Sequence, residues 1–160
     1  MRSVRGAMLT ALLTGLAATP AYADITGFIG ADITPKSRHT EGFAVGGGLL
    51  FLGFEFEYAS APQDPAAQTP SLTSGMGNVL LQTPVSIHGF QPYVEVGAGV
   101  YHETLGTNGQ TGLALGTGAG VKISLVGPVR LRIDYRVFKL GEGGLDSPVH
   151  RVYIGLNLTF

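Results

Sequence analysis

The chain has no cysteine and no tryptophan among its 160 residues, and only 13% of them are charged. The missing cysteine excludes disulfides, thiolate nucleophiles and sulfur-ligated metals. Charge of one sign is also lacking: ten Lys and Arg stand against eleven Asp and Glu. That is no basic footprint for nucleic acid. Long hydrophobic runs are scarce as well. The longest, Ala7 to Ala18, is interrupted by Thr10, Thr14 and Gly15. It falls short of the roughly 20 residues that a membrane-spanning helix needs.

What is present stands at odds with that scarcity. Hydrophobic residues make up 44% of the chain and mean hydropathy is +0.27. With no run long enough for a spanning helix, the apolar residues must be spread over short segments. The first 23 residues read as an export leader. Arg2 and Arg5 precede the apolar stretch, and Pro20 precedes the small-residue site Ala21-Tyr22-Ala23. A peptidase would cut there, before Asp24. Removal of residues 1–23 leaves one domain over 24–160, with eight cations, eleven acids and a net charge of −3.

The 25 glycines fall mostly inside alternating runs, which disfavours helices. Period-two alternation is clearest at the end. Val152, Ile154, Leu156, Leu158 and Phe160 take one face, and Arg151, Tyr153, Gly155, Asn157 and Thr159 the other. In the preceding segment Val129, Leu131, Ile133, Tyr135 and Val137 alternate with Arg130, Arg132, Asp134, Arg136 and Phe138. The pattern predicts eight strands, over 25–33, 42–50, 52–60, 72–83, 90–102, 111–124, 128–140 and 150–160. Their lengths are close to the 9–11 residues of a tilted transmembrane strand. In the fourth, Gly75 to Leu81 leaves open which face is apolar. Short gaps follow the second, fourth and sixth strands. Longer connections are expected at Thr34–Glu41, Ala61–Ser71, Glu103–Gln110 and Gly141–Val149, the asymmetry of an outer-membrane barrel.

Alternation alone does not separate a soluble barrel, apolar inside, from a membrane barrel, apolar outside. Three features favour the second. Asp32, Glu55, Glu57, Glu95 and Asp134 share the polar face with Lys122, Arg130, Arg132, Arg136 and Arg151, five of each sign. A packed interior needs such balance, because an unpaired buried charge costs several kcal/mol. Gly53, Gly97, Gly99, Gly112, Gly116, Gly118, Gly120 and Gly155 lie on the same face. They leave room for long side chains. The opposite face is apolar almost throughout, with Lys139 as an outward cation near one end. Tyr58, Tyr101 and Tyr135 are candidates for interfacial girdles. The expectation is an all-β, eight-stranded antiparallel up-and-down transmembrane barrel. Its edges must close, because no backbone group can stay unpaired in hydrocarbon.

The ending Arg151 to Phe160 resembles the C-terminal signature of bacterial outer-membrane barrels. The segment 24–160 as a whole resembles the OmpA/OmpX-like outer membrane protein β-barrel domain family. That resemblance implies the outer membrane as location. It implies outer-membrane lipids and lipopolysaccharide as surroundings. It also implies recognition of Tyr153, Leu156, Leu158 and Phe160 by the assembly machinery. It fixes location better than activity.

Candidate chemistry is sparse. His39, His102 and His150 lie in or beside the expected long connections and His88 in a short one, with no metal-ligand spacing. No cofactor is implied. Gly116 to Gly120 lacks the Lys-Ser/Thr and the helix of a phosphate loop. Asp146, Ser147 and His150 are close in sequence and leave a lipid hydrolase as an alternative. A narrow channel is another, although ten charged groups would plug an eight-stranded lumen. Lys36, Arg38 and Lys139 are candidates for contact with lipopolysaccharide phosphates. The leading reading is a non-enzymatic barrel with a structural or surface-interaction role.

Overall fold

A computed structural model describes residues 21–34, 36–141, 144 and 147–160. The strands are β1 (Ala21–Thr34), β2 (Arg38–Leu49), β3 (Leu52–Ala61), β4 (Ser71–Gln82), β5 (Phe90–Leu105), β6 (Asn108–Val126), β7 (Val129–Leu140) and β8 (Val149–Thr159). Each pairs antiparallel with its neighbour in sequence, and β1 pairs with β8, closing the cylinder. The closure ends in two main-chain bonds of 2.9 Å, Ala23 N to Phe160 O and Phe160 N to Ala23 O. Leader cleavage after Ala23 would leave β1 as Asp24–Thr34.

The alternation expresses itself as two unlike surfaces. Phe54, Phe56, Val96, Leu115, Ile154 and Leu156 are each between 47% and 61% exposed on the outer wall. Arg132, Arg136, Arg151, Glu57 and Asp134 are at most 2% exposed in the lumen. A water-soluble protein would place these sets the other way round. The wall therefore faces hydrocarbon.

The connections depart from the expected pattern. Regular pairing runs through most of Thr34–Glu41 and Glu103–Gln110, leaving only 35–37 between β1 and β2 and Gly106-Thr107 between β5 and β6. Gly106 has φ +62, the left-handed geometry that a two-residue hairpin requires at its first position. The alternation simply continues beyond the apolar belt with polar outward residues. His39 accordingly lies on a strand rather than in a loop, and His102 and His150 lie on the strands expected to hold them. Long connections remain at 62–70 and 141–148, and a third, 83–89, lies at the opposite end.

Strand β4 resolves the face that its sequence left open. Leu72, Ser74, Met76, Asn78, Leu80 and Gln82 point inward and are buried, whereas Val79 and Leu81 are exposed. Tyr101 is not a girdle residue. It is 1% exposed inside the barrel, on the lumenal parity of Tyr93 and Glu95.

Glycines on the lumenal face stand opposite the large rings. Tyr93 pairs with Gly120, Tyr101 with Gly112, Phe138 with Gly116 and Phe28 with Gly155. A Cβ on Gly112 would meet the Tyr101 ring at 2.8 Å, and one on Gly116 the Phe138 ring at 3.1 Å. Each glycine provides the space into which its cross-strand neighbour lies.

Candidate functional site: a charged lumen beneath an apolar plug

The lumen is filled in tiers. At the end where β1 begins and β8 ends, Lys122 on β6 pairs with Asp24 on β1 at 2.7 Å. Arg130 on β7 is half-buried and donates to Gln91 Oε1 at 2.7 Å. It is thus at the rim, with an amide for partner rather than a carboxylate of the central cluster. Asn157 donates to Thr26 Oγ1 at 2.9 Å.

The middle tier gathers charges from three strands. Glu55 and Glu57 come from β3, Glu95 from β5, and Arg132, Asp134 and Arg136 from β7. Residues i, i+2 and i+4 of a strand share a face, so Arg132, Asp134 and Arg136 all point to the axis. Arg132 is forked onto Glu55, with the longer bond 3.2 Å, and reaches Asp134 at 3.1 Å. Arg136 meets Glu57 at 2.9 Å, Glu55 at 3.1 Å and Asp134 at 3.2 Å. Glu95 pairs with Arg136 and lies 3.7 Å from Arg132. Neither of its carboxylate oxygens makes a well-aligned hydrogen bond.

Two tyrosines complete this tier. Tyr93 accepts from Arg132 Nε at 2.7 Å and donates to Asp134. Tyr153 accepts from Arg136 at 2.8 Å and donates to Asp134 at 3.0 Å. The Arg132 guanidinium also lies 5.0 Å from the Tyr93 ring centre and 5.6 Å from that of Tyr153. Planar delocalised cations suit this double environment of carboxylate fork and ring face. Tyr153 is therefore a lumen residue. Leu156, Leu158 and Phe160 point outward and are 57%, 44% and 76% exposed.

Above the middle tier Asp32 bridges two guanidiniums, Arg151 at 2.7 Å and Arg38 at 2.9 Å. Arg38 also donates to Pro70 O at 2.5 Å, which ties the 62–70 loop to the barrel mouth. This corrects the reading of Arg38 as a surface contact for lipopolysaccharide. It is 6% exposed, because β2 starts earlier than expected and turns residue 38 inward. Asp24, Arg38, Glu103, Tyr93 and Tyr153 are lumenal groups that the sequence reading did not count in the network. Their shared parity with Thr26, Thr40, Tyr101, Glu95 and Arg151 was the available signal.

Nearest the loop end the lumen becomes apolar. Leu72, Met76, Tyr101, Phe138, Leu140 and Val149 pack together with Ala61 and Ala114. Below this plug, a second small cluster stacks Phe28 on Tyr153 with ring centres 4.2 Å apart.

The remaining candidates bond to other partners. Ser147 Oγ accepts the Leu140 amide at 3.2 Å, and His150 Nδ1 is 2.6 Å from the Tyr135 hydroxyl. Asp146 lies outside the described residues. His102 bonds to Thr111 at 2.7 Å and to Thr104 at 3.1 Å. Lys36 donates to the carbonyl oxygens of Ala67 and Gln68. Lys139 is exposed on the outer wall near the end of β7.

A closed eight-stranded cylinder with an apolar wall and a filled, ionic lumen has the fold of the small outer-membrane β-barrels. No protein-family model and no curated protein matches this chain. Among solved structures it is similar to the N-terminal β-barrel domain of Pseudomonas aeruginosa OprF. The TM-score is 0.69 at 14% identity, over 87% of this chain and 97% of that one. It is also similar to Neisserial surface protein A, NspA, with TM-score 0.61 and 17% identity over 87% and 94% of the two chains. The outer membrane enzyme PagL shares the fold with TM-score 0.53 and 14% identity, over 84% of this chain and 98% of that one.

Proposed function

We propose that this protein is an integral barrel of the bacterial outer membrane with a structural or surface-interaction role, neither an open pore nor an enzyme. The observation that carries this is the occupied lumen. Ion pairs and rings fill its middle, and at the loop end an apolar cluster shares the lumen with Asp32, Arg38 and the buried Glu103. The hollow beside Asp24, Glu55 and Lys122 has a volume of about 10 Å³, room for a single water. Conductance in planar bilayers tests the reading. The expected result is a silent membrane containing protein with heat-shifted gel mobility; discrete channel openings would overturn it.

Residues 1–23 act as a cleaved leader in this reading, so protein recovered from the outer membrane starts at Asp24. Recovery of intact Ala21-Tyr22-Ala23 would refute the leader. The outward Leu156, Leu158 and Phe160 present the alternation read by the assembly machinery. Lys139, at the loop end of the wall, is positioned for phosphates of lipopolysaccharide.

A lipid hydrolase is the second reading, supported by the presence of an outer membrane enzyme on the same fold. The partners of Ser147 and His150 speak against it, since a nucleophile and its base must face each other. Unchanged lipid A and phospholipid on expression of the protein, with or without Ser147→Ala, favours the structural role. Turnover lost on that substitution favours the enzyme.

A further inference from the structure

The loop over 62–70 is fixed in one shape by its own bonds. Asp64 and Thr69 exchange main-chain bonds of 3.0 and 2.9 Å. The Asp64 carboxylate accepts the amides of Ala66 at 3.0 Å and Ala67 at 3.2 Å, which sets the turn between them. Lys36 donates to the carbonyl oxygens of Ala67 and Gln68, and Arg38 to that of Pro70. Gln68 is held at φ +52, a left-handed conformation that residues with a side chain rarely adopt. Strain of this kind persists only where the surroundings impose it, and it gathers at ligand clamps.

Between this loop and the tip of the β5–β6 hairpin lies a cleft of about 370 Å³. Gln63, Gln68, Thr107 and Asn108 line it together with Pro65 and Leu105, and no charged side chain does. Gln68 Nε2 donates to Pro65 O at 3.1 Å, which leaves its amide oxygen without a partner among the described residues. The side chains of Gln63, Thr107 and Asn108 make no hydrogen bond among the described residues. The cleft differs in kind from the hollows of the outer wall beside Gly27 and beside Pro92, where apolar side chains dominate and lipid covers the surface.

The lining selects its ligand by chemistry. Amides and a hydroxyl both donate and accept, so they match the paired hydroxyls of a sugar. Pro65 and Leu105 offer apolar surface to the C–H face of the ring, the mixture that small-ligand clefts use. An anion would find no cation among the lining groups, and the Lys36 ammonium is already spent on two carbonyls. A loop fixed beforehand loses little freedom on binding. We propose that this cleft binds an uncharged pyranose sugar at the outward-facing end of the barrel. The proposal rests on the membrane assignment made above, which puts the loop end among surface glycans. The sugar comes either from lipopolysaccharide of the same membrane or from the glycans of another cell.

The test uses purified barrel in a zwitterionic detergent that has no sugar headgroup. Saturation-transfer NMR follows titration with a neutral oligosaccharide released from lipopolysaccharide O-chains, with an N-acetyllactosamine tetrasaccharide and with a sulfated heparin tetrasaccharide. Saturable binding of a neutral probe is expected, with Kd of about 1 mM or tighter. The tighter neutral probe identifies the source. Asn108→Ala and Gln68→Gly should each weaken it about fivefold, the net worth of one hydrogen bond. Glycine suits the left-handed backbone at 68, so the loop keeps its shape in that variant. Binding of neither neutral probe overturns the proposal, as does unchanged affinity in both variants. Tighter binding of the sulfated probe overturns it too, because a cationic surface elsewhere would then be the sugar site. Outer-membrane fractionation and heat-shifted mobility are followed in parallel. Loss of these strikes the membrane assignment, whereas a barrel that passes both and binds no neutral sugar strikes the cleft alone.

Discussion

Arg132 on β7 and Glu55 on β3 stand on opposite walls of the cylinder and are joined through its centre by a guanidinium–carboxylate fork. Both side chains are essentially inaccessible to water. Removing Arg132 takes one of its two guanidinium partners from Glu55 and leaves the cluster with excess buried negative charge. Arg132→Met should cost about 3–5 kcal/mol, the range for breaking a buried pair. It is read as a lower urea midpoint for loss of the heat-shifted gel band. Adding Glu55→Leu should recover much of that loss, because an apolar replacement of both partners leaves no bare charge. A double variant as weak as the single one would contradict this account of the pair.

Glu95 offers a contrast inside the same cluster. Its oxygens lack well-aligned hydrogen bonds, whereas Glu55 holds both Arg132 and Arg136. Four carboxylates surround Arg132 and Arg136, so one negative charge is expendable. Glu95→Gln should change stability by less than about 1 kcal/mol, and Glu55→Gln should cost about 1.5–3 kcal/mol. Urea midpoints of the two variants give the comparison. The reverse order would show that proximity, not alignment, sets the strength of these pairs.

Much of the fold was legible because lipid and lumen make opposite demands on successive residues. The run Val129 to Leu140 displays the alternation in nearly pure form, and the eight strands follow from such runs. The plug was not legible. Leu72, Leu140 and Val149 are apolar, and the sequence gives an apolar residue no mark saying whether it faces hydrocarbon or a closed lumen. Nor were the early start of β2 and the Gly106-Thr107 hairpin, because polar residues above the membrane look alike in strands and loops. Arg38 belongs to such a segment, and nothing in its sequence surroundings marks the inward turn that β2 gives it. Arg130 shares parity with Arg132, yet one step toward the rim changes its partner from a carboxylate to Gln91.

The glycine opposite each large ring should be sensitive to a single methyl group. At Gly120 a Cβ would meet the Tyr93 hydroxyl and, at 2.7 Å, the rigid carbonyl oxygen of Ile133. Gly120→Ala should therefore cost about 1–3 kcal/mol through overpacking. Gly27→Ala, with open space around it, should be close to neutral. Equal urea midpoints for the two would remove the packing explanation for the lumenal glycines.

Phe160 separates assembly from stability. With the leader removed the β1–β8 ladder ends at the Asp24–Thr159 pair, and the Phe160 ring beyond it is 76% exposed and packs against little. Phe160→Ala should lower the amount of folded barrel reaching the outer membrane, while the barrel that does arrive unfolds at an unchanged urea concentration. A lower midpoint with normal yield would assign the ring a packing role instead.

The orientation of the wall is the claim on which the rest depends. The chain has no cysteine, so a nitroxide can be placed at one chosen site. Attached through Val96→Cys or Phe56→Cys in reconstituted bilayers, it should collide readily with dissolved oxygen and scarcely with a water-soluble nickel chelate. Nitroxides at both positions that relax with the nickel chelate and not with oxygen would contradict the account, since the apolar face would then not be meeting lipid.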